Sequence, residues 1–284
     1  MKFGLMYSNV GPFAQPEGLV HLAQTAERVG VESLWTVEHV AVPIGYESKY
    51  PYSENGRMPG PENAPIPDPI VWLSYAAAVT KKIKLATGIL ILPQRHPIYT
   101  AKQFATLDVL SKGRAIAGIG IGWLREEFEA LGIPFAERAG RTEECARALR
   151  QLWSPDAKPF DGRYYQWGAI ESQPKPVQPG GIPIVVGGHV EGAARRAARV
   201  GDGFFPAAGD FPTLFAAVRD ECEKIGRNPD EIELTAGGPV RSLDDLKRYQ
   251  DLGISRLIIP PPGFDPDALE AGLEKLGNDI LSKL

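Results

Sequence analysis

Hydrophobic and polar residues recur along the chain with two periods, one typical of strands and one typical of helices. Segments with the strand period and segments with the helix period follow one another regularly. Short runs rich in β-branched residues, each bounded by glycine or proline, predict strands, and the amphipathic stretches that follow most of them predict helices. The eight predicted strands cover residues 2–7, 33–37, 83–91, 114–119, 182–187, 203–207, 232–236 and 256–260. The eight predicted helices cover residues 17–29, 68–80, 97–110, 137–153, 191–200, 211–226, 243–252 and 266–282.

The ends of the predicted helices carry specific signals. In the first one, Leu19 and Leu22 lie on the apolar face, and Gly30 follows as a left-handed stop. Ser242 is expected to cap the start of the helix at 243–252 with its hydroxyl group. These signals support the boundaries that the periodicity suggests.

Eight alternations of strand and helix favour an α/β fold, a single (β/α)8 TIM barrel, over a doubly wound sheet. No glycine-rich dinucleotide-binding turn follows the first predicted strand. The strand at 182–187 is apolar on both faces, as expected between a barrel interior and the helices that cover it. Because the alternation runs from end to end, we expect residues 1–284 to form one domain.

Two insertions interrupt the alternation, one after the second strand at 40–66 and one before the fifth strand at 154–181. Both are rich in proline and in aromatic residues. Long loops in compact domains are usually functional or disordered. The alternative for both insertions is a surface loop without a role in the site. Segment 40–66 starts at the carboxyl end of a strand, where barrel active sites lie, and is expected to be a substrate lid. Segment 154–181 is expected to approach from the other end, unless it folds back along the barrel side.

Composition narrows the class of protein. The chain has 31 glycines, 26 prolines, 43% hydrophobic residues and a formal charge of −4, which together exclude a disordered chain. The acidic balance argues against nucleic acid or an anionic membrane as a partner. Cys145 and Cys222 lie far apart, so neither a disulfide framework nor a metal cluster is expected. No apolar run approaches a membrane span and no signal peptide is visible, which predicts a soluble cytoplasmic protein.

Candidate chemistry begins at the end of the second predicted strand, with Glu38 and His39. An imidazole titrates near neutral pH and can move a proton during a reaction. At the turn that follows the strand, both side chains could reach the mouth of the barrel. The alternative is a structural histidine whose ring N–H group donates a hydrogen bond to a backbone carbonyl.

Glycines interrupt the third and fourth predicted strands. Gly88 suggests a bulge or a close approach of a ligand to the backbone, although simple packing also explains it. Small residues at Gly118 and Gly120 leave space for a flat group to lie over the strand. A nicotinamide dinucleotide fingerprint would need glycine or alanine where the chain has Trp123, so that cofactor is not supported.

The fifth predicted strand leads through Gly187, Gly188 and His189 into the helix at 191–200. Glycines before a helix expose backbone N–H groups to an anion, and the helix dipole adds to the attraction. A phosphate site is therefore expected here rather than a plain turn, although phosphate sites of barrels more often follow the last two strands.

With these motifs in place, the sequence resembles the bacterial luciferase-like superfamily of flavin and deazaflavin oxidoreductases. The resemblance covers nearly the whole chain and is specific for the superfamily rather than for a substrate. It is carried by the motifs at 33–39, 88–97, 101–114, 120–128, 174–178 and 187–203.

The resemblance implies a barrel that holds an isoalloxazine or deazaflavin ring over the carboxyl ends of the strands. It places a cis peptide behind the ring at Gly88–Ile89, and it assigns Glu38 and His39 as the catalytic pair, with the imidazole near the hydride-accepting centre and Glu38 tuning or orienting it. The residues expected to bind the cofactor are Thr87, Gly88, Ile89, Gly120, Trp123, Gly187, Gly188 and His189. In the glucose-6-phosphate dehydrogenase branch a catalytic glutamate falls where this chain has Trp123, which argues against sugar-phosphate oxidation.

The leading hypothesis is an oxidoreductase that transfers hydride between coenzyme F420 and a small organic substrate, either a carbonyl or alcohol or an activated alkene. The alternative is a two-component FMN monooxygenase that receives reduced flavin from a separate reductase. A third hypothesis is a non-catalytic carrier of flavin or another ligand. The resemblance also implies a homodimer, and no metal is expected.

Overall fold

A computed structural model describes residues 1–240 and 242–283 of the chain. Within these residues the parallel strands form one closed sheet. The strands of this barrel are β1 (Lys2–Leu5), β2 (Ser33–Thr36), β3 (Lys84–Thr87), β4 (Leu90–Ile91), β5 (Ala115–Gly120), β8 (Ile184–Gly187), β9 (Gly203–Phe205), β10 (Glu233–Gly237) and β11 (Arg256–Ile259). They pair in the order β3-β2-β1-β11-β10-β9-β8-β5, and β3 also pairs with β5. Since β4 continues the line of β3, the barrel has eight strand positions and the predicted (β/α)8 fold is confirmed.

Helices surround this barrel at the predicted positions, and one further short helix, α4, precedes α5. The helices are α1 (Pro16–Val29), α2 (Pro69–Val79), α3 (Pro97–Ser111), α4 (Arg125–Ala130), α5 (Arg138–Trp153), α6 (Glu191–Val200), α7 (Phe211–Ile225), α8 (Leu243–Asp251) and α9 (Pro266–Asp279). Short 3₁₀ helices cover Gly11–Ala14, Leu92–Gln94, Phe135–Glu137, Pro229–Glu231 and Leu281–Lys283. None of the helices in the described residues is long and apolar enough to cross a membrane.

The predicted helix ends agree with the structure. Leu19 and Leu22 are buried, and Gly30 ends α1 with a φ of +92°. The hydroxyl group of Ser242 accepts a hydrogen bond from the backbone N–H of Asp245, and the side chain of Asp245 accepts one from the backbone N–H of Ser242, which completes a capping box at α8.

Apolar side chains form two layers, one inside the barrel and one between the strands and the helices. Trp35, Val185 and Phe205 belong to the inner cluster, and the rings of Trp35 and Phe205 pack edge to face at 5.7 Å. Leu34, next to Trp35, belongs to the outer layer, as alternation along a strand requires. Because the interior is filled by side chains, the space for a ligand lies at the carboxyl ends of the strands.

The third predicted strand, 83–91, is divided by a bulge. Leu85 pairs with Ala115 before it and Leu90 pairs with Ile119 after it, so this strand holds one residue more than its partner over the same distance. The extra residue falls at Gly88–Ile89, where the peptide bond is cis, as the family resemblance implies.

Segment 154–181 contains a hairpin of β6 (Phe160–Asp161) and β7 (Gln166–Trp167). The rings of Tyr165 and Trp167 lie against His96, which precedes α3. Further along, the carboxylate of Asp108, near the end of α3, accepts hydrogen bonds from the backbone N–H groups of Val177 and Gln178. The segment therefore folds back along the barrel side, over α3.

The bulge leaves no space for a side chain on the neighbouring strand. A Cβ atom at Gly118 would overlap the carbonyl oxygen of Thr87. We expect Gly118→Ala to lower the free energy of unfolding by about 1–3 kcal/mol or more, because the clash is with backbone rather than with a flexible side chain. Urea denaturation measures this change.

Gly168→Ala is the matched control, since a Cβ atom there meets nothing within 4 Å. Its free energy of unfolding is expected to change by less than about 1 kcal/mol. Equal stabilities of the two variants would contradict the close approach of the bulge to Gly118.

Candidate functional site

His39 lies just beyond the end of β2, at the mouth of the barrel. Its side chain is 8% exposed, and its Nδ1 atom lies 3.0 Å from Oε2 of Glu127, whose carboxylate is fully buried. Within the described residues Nε2 has no hydrogen-bond partner. The structure therefore holds the imidazole by one nitrogen and leaves the other available for a reacting group.

Glu38 does not contact this imidazole, which corrects the expectation that it tunes or orients His39. Neighbouring residues on an extended chain point to opposite sides, and Glu38 points towards the third strand. Its Oε2 accepts a hydrogen bond of 2.5 Å from the backbone N–H of Ile91, and its Oε1 accepts one of 2.9 Å from Nε of Arg95. Glu38 thus fixes the strand just after the bulge.

A charge network surrounds Arg95. Its guanidinium also bonds the carboxylate of Asp68, the N-cap residue of α2, at 2.8 Å. Burial alone would lower the pKa of Arg95, but the charges of Glu38 and Asp68 raise it above its ordinary value. Burial raises the pKa of the Glu38 carboxyl, against the opposing effect of Arg95. This network, of which the Glu38 carboxylate is the buried member, gives Glu38 a structural role beside the site.

The sequence did not identify Glu127 as a site residue. It follows β5 in the short helix α4 and is separated from His39 by 88 positions. The available signal was its place after the carboxyl end of a barrel strand, where charged residues often belong to the active site.

The bulge forms the floor of the site, and its side chains are already engaged. The hydroxyl group of Thr87 is buried and donates to the carbonyl oxygen of Gly118 at 2.6 Å. The side chain of Ile89 lies between Gly120 and Gly187, since a Cβ atom at either glycine would come within 2.6 Å of it. The expectation that Gly120 leaves space for a flat ring is corrected here, because Ile89 takes that space.

The start of α6 is open to a ligand. Its N-cap residue is Val190, which provides no side-chain hydrogen bond, so the first backbone N–H groups keep their capacity to bind an anion. Gly188 has a φ of +142°, which favours glycine, and a Cβ atom at Gly192 would meet nothing within 4 Å. A metal has no comparable site, since no three His, Cys, Asp or Glu side chains of the described residues are arranged to hold one.

Aromatic side chains connect the two sides of the mouth. Trp123 packs edge to face on His39 at 5.6 Å and on Tyr50 at 5.2 Å. Tyr50 contacts Tyr52 at 5.2 Å, and Tyr52 contacts His189 at 5.0 Å. We call these five residues the aromatic wall. It places segment 40–66 across the barrel mouth, between β2 and β8.

Tyr7 faces this wall from the end of β1. It is 41% exposed and has a φ of +56°, which is uncommon for a residue other than glycine. Burial, followed by the neighbouring phenols Tyr7, Tyr52 and Tyr46, raises the pKa of Tyr50 above its ordinary value. Burial likewise raises the pKa of Tyr7 and of Tyr52. These hydroxyl groups therefore stay protonated and can donate hydrogen bonds at neutral pH.

Two adjacent carboxylates attach segment 40–66 to α4. Oε1 of Glu127 accepts hydrogen bonds from the backbone N–H groups of Val40 and Ala41, at 2.6 and 3.1 Å. Oε1 of Glu126 accepts bonds from those of Glu47 and Ser48, at 2.8 and 2.9 Å. Partial burial would raise the pKa of Glu126, but the bonds from Ser48 and the backbone lower it to about 2.

A lowered pKa sets the pH range over which Glu126 holds the segment. The attachment is complete above the ordinary value of 4.5 and is lost only as the pH falls through about 2. We therefore expect the backbone amide shift of Ser48 in NMR spectra to stay constant from about pH 6 down to about pH 3.5. Glu126→Gln, which removes the charge, identifies the resonances that depend on it. A titration midpoint near 4.5 in the unaltered protein would contradict these hydrogen bonds.

Comparison with known proteins agrees with this architecture. The model of the luciferase-like monooxygenase family matches residues 1–270. An uncharacterised protein of Mycobacterium tuberculosis is 34% identical over 277 residues, which cover 93% of this chain and 95% of that protein. A protein of Kineococcus radiotolerans named F420-dependent glucose-6-phosphate dehydrogenase is 33% identical over 256 residues, which cover 84% of this chain and 70% of that protein.

The same fold is found among solved structures. The coenzyme F420 dependent tetrahydromethanopterin reductase of Methanopyrus kandleri superposes with a TM-score of 0.77, at 20% identity and over 99% of both chains. The resemblance inferred from the sequence is confirmed: the chain belongs to the luciferase-like monooxygenase family of oxidoreductases.

Proposed function

We propose that the protein is an oxidoreductase that transfers hydride between coenzyme F420 and a small organic substrate, either a carbonyl or alcohol or an activated alkene. The observation that carries this proposal is the position of His39. Its imidazole is held by a buried carboxylate at one nitrogen, with Nε2 available, at the same strand ends as the Gly88–Ile89 bulge. A proton carrier beside a rigid backbone floor suits hydride chemistry, in which a proton must accompany the hydride.

Backbone groups of this chain fit the parts of a deazaflavin cofactor. The bulge from Thr87 to Ile89 would support the ring, with Gly120 and Gly187 holding the side chain of Ile89 in place. The uncapped start of α6, with Gly188 and His189 before it, would bind a phosphate group. When bound, the cofactor supplies a ring carbon that gives or accepts hydride.

His39 would donate a proton to the substrate oxygen or accept one from it through Nε2. Trp123 and the rest of the aromatic wall would exclude water above the floor. Glu38 acts in this proposal through the bulge, because its carboxylate holds the Ile91 amide and not the imidazole.

The name of the Kineococcus relative supports F420 as the cofactor, at 33% identity over 84% of this chain. We do not propose glucose 6-phosphate as the substrate of this protein. The position at which the resemblance to that branch implies a catalytic glutamate holds Trp123, whose ring is packed between His39 and Tyr50. The proposed substrate is therefore a smaller molecule without a sugar phosphate.

The second candidate function is a two-component FMN monooxygenase that uses reduced flavin from a separate reductase. The same floor and phosphate site would accept FMN, and the family includes monooxygenases by its description. Oxygen consumption coupled to hydroxylation of a substrate with reduced FMN would favour this candidate.

We also propose that a separate reductase supplies the reduced cofactor, that the protein is cytoplasmic and that it forms a homodimer. Large apolar side chains exposed on α2 and α3 support the dimer, namely Val71, Tyr75, Tyr99 and Leu110.

The first test is a fluorescence-quenching titration of the apoprotein with F420 and with FMN. Trp123 is a natural reporter because it lies in the aromatic wall. We expect F420 to bind in about the micromolar range and at least about tenfold more tightly than FMN. Tight binding of FMN, with F420 binding no better than about millimolar, would refute the cofactor assignment.

The second test replaces His39. We expect His39→Ala to lower turnover by roughly 10²–10⁴-fold, the usual contribution of a proton-transferring side chain, and to change the affinity for F420 by less than about threefold. His21→Gln is the control, since that ring lies on α1 and, among the described residues, its one hydrogen bond is to the carbonyl oxygen of Pro266. A non-catalytic carrier would instead keep every measurable function in His39→Ala.

A further inference from the structure

We infer that Glu127 is the positioning residue that sets which nitrogen of His39 carries the proton. The inference rests on the proposed function, because it concerns the same imidazole. It also makes a statement about the protein alone, namely that the neutral ring carries its proton on Nδ1 and presents an unprotonated Nε2 to the site.

The chemistry of the two partners fixes this assignment. An ionised carboxylate only accepts hydrogen bonds, so the contact of 3.0 Å between Oε2 of Glu127 and Nδ1 of His39 requires a proton on Nδ1. A neutral imidazole has one N–H, which leaves Nε2 with a lone pair. Nε2 can then accept a proton from an alcohol. Once the imidazole is protonated, Nε2 can instead donate a proton to a carbonyl.

The second oxygen of Glu127 keeps the carboxylate in this orientation. Oε1 accepts the backbone N–H groups of Val40 and Ala41, and the whole carboxylate is buried. Both oxygens are therefore in use, and the carboxylate cannot turn away from the ring without losing its hydrogen bonds to these backbone N–H groups. The orientation of the ring and the start of segment 40–66 depend on the same carboxylate.

Glu127→Gln separates the two roles. A glutamine has one accepting oxygen and one donating NH₂ group. Two backbone N–H groups require the oxygen on their side, so the NH₂ group faces Nδ1 of His39 and forces the proton onto Nε2. The variant thus retains the attachment of segment 40–66 and reverses the tautomer.

The experiment uses ¹⁵N-labelled full-length protein and long-range ¹H–¹⁵N NMR spectra of the imidazole rings, at a pH where His39 is neutral. The chain has four histidines, and His39→Gln assigns the relevant signals. We expect the Nδ1–H form in the unaltered protein and the Nε2–H form in Glu127→Gln. Turnover with F420 is expected to fall by roughly 100-fold or more in kcat, with KM changed by less than about threefold.

Two further variants separate positioning from a general structural role. Glu127→Asp keeps an accepting carboxylate and is expected to retain the Nδ1–H form and to recover part of the turnover. Glu126→Gln alters the adjacent carboxylate, which binds Glu47 and Ser48 but not the ring, and is expected to leave the tautomer unchanged.

The spectrum of the unaltered protein decides the inference even if Glu127→Gln does not fold. An Nε2–H form there would overturn it, and so would a folded Glu127→Gln that keeps both the Nδ1–H form and its kcat. If the tautomers behave as expected but no hydride passes between F420 and any substrate, the proposed function fails while the positioning by Glu127 stands.

Discussion

The third barrel strand carries one residue more than its neighbour β5 allows, and the surplus lies at Gly88 and Ile89. The carbonyl oxygen of Thr87 is pressed against Gly118, and Ile89 inserts its side chain between Gly120 and Gly187. Three glycines on two neighbouring strands thus accommodate one bulge. A bulge of this kind ends regular pairing and places backbone at a ligand, which is why barrel rims and active sites often contain them.

The end of β2 connects this floor to the proton chemistry. Alternation along the chain sends Glu38 towards the bulge and His39 towards the mouth, so neighbouring residues serve different parts of the site. Each meets its own buried partner, Arg95 for Glu38 and Glu127 for His39. Breaking the ion pair between Glu38 and Arg95 would cost about 3–5 kcal/mol, because the buried charge of Glu38 would lose its compensation. The floor and the imidazole are therefore both held firmly in position from this one strand end.

The sequence predicted the barrel because periodicity and glycine stops are local properties of the chain. It also marked Gly88 and His39, since a glycine in an apolar strand and a histidine at a strand end are visible without partners. It could not predict that Glu127 rather than Glu38 binds His39. That choice depends on where α4 packs, 88 residues away along the chain, and on which side of β2 each residue faces.

The prediction of space for a flat ring over Gly120 was limited in the same way. The sequence marked Gly120 as leaving space over the strand, but two chemically different occupants fit that pattern. Only the three-dimensional register of the bulge decides that the occupant is Ile89, a residue of the chain itself. A pattern of small residues therefore predicts a cavity better than it predicts what fills it.

Segment 40–66 is much less buried than the floor of the site. Tyr46 is its one buried residue among the described residues, whereas Ile44 is 94% exposed. Its attachments to α4 are backbone N–H groups bound to Glu126 and Glu127, and such charge-assisted bonds contribute about 1.5–3 kcal/mol each. Release of the segment would exchange these bonds for water and would also uncover Tyr46 and the ring of Trp123, on which Tyr46 and Tyr50 pack. The floor is part of the packed barrel, whereas segment 40–66 is held by backbone N–H groups bound to two carboxylates of α4 and by tyrosine rings packed on Trp123 and His189.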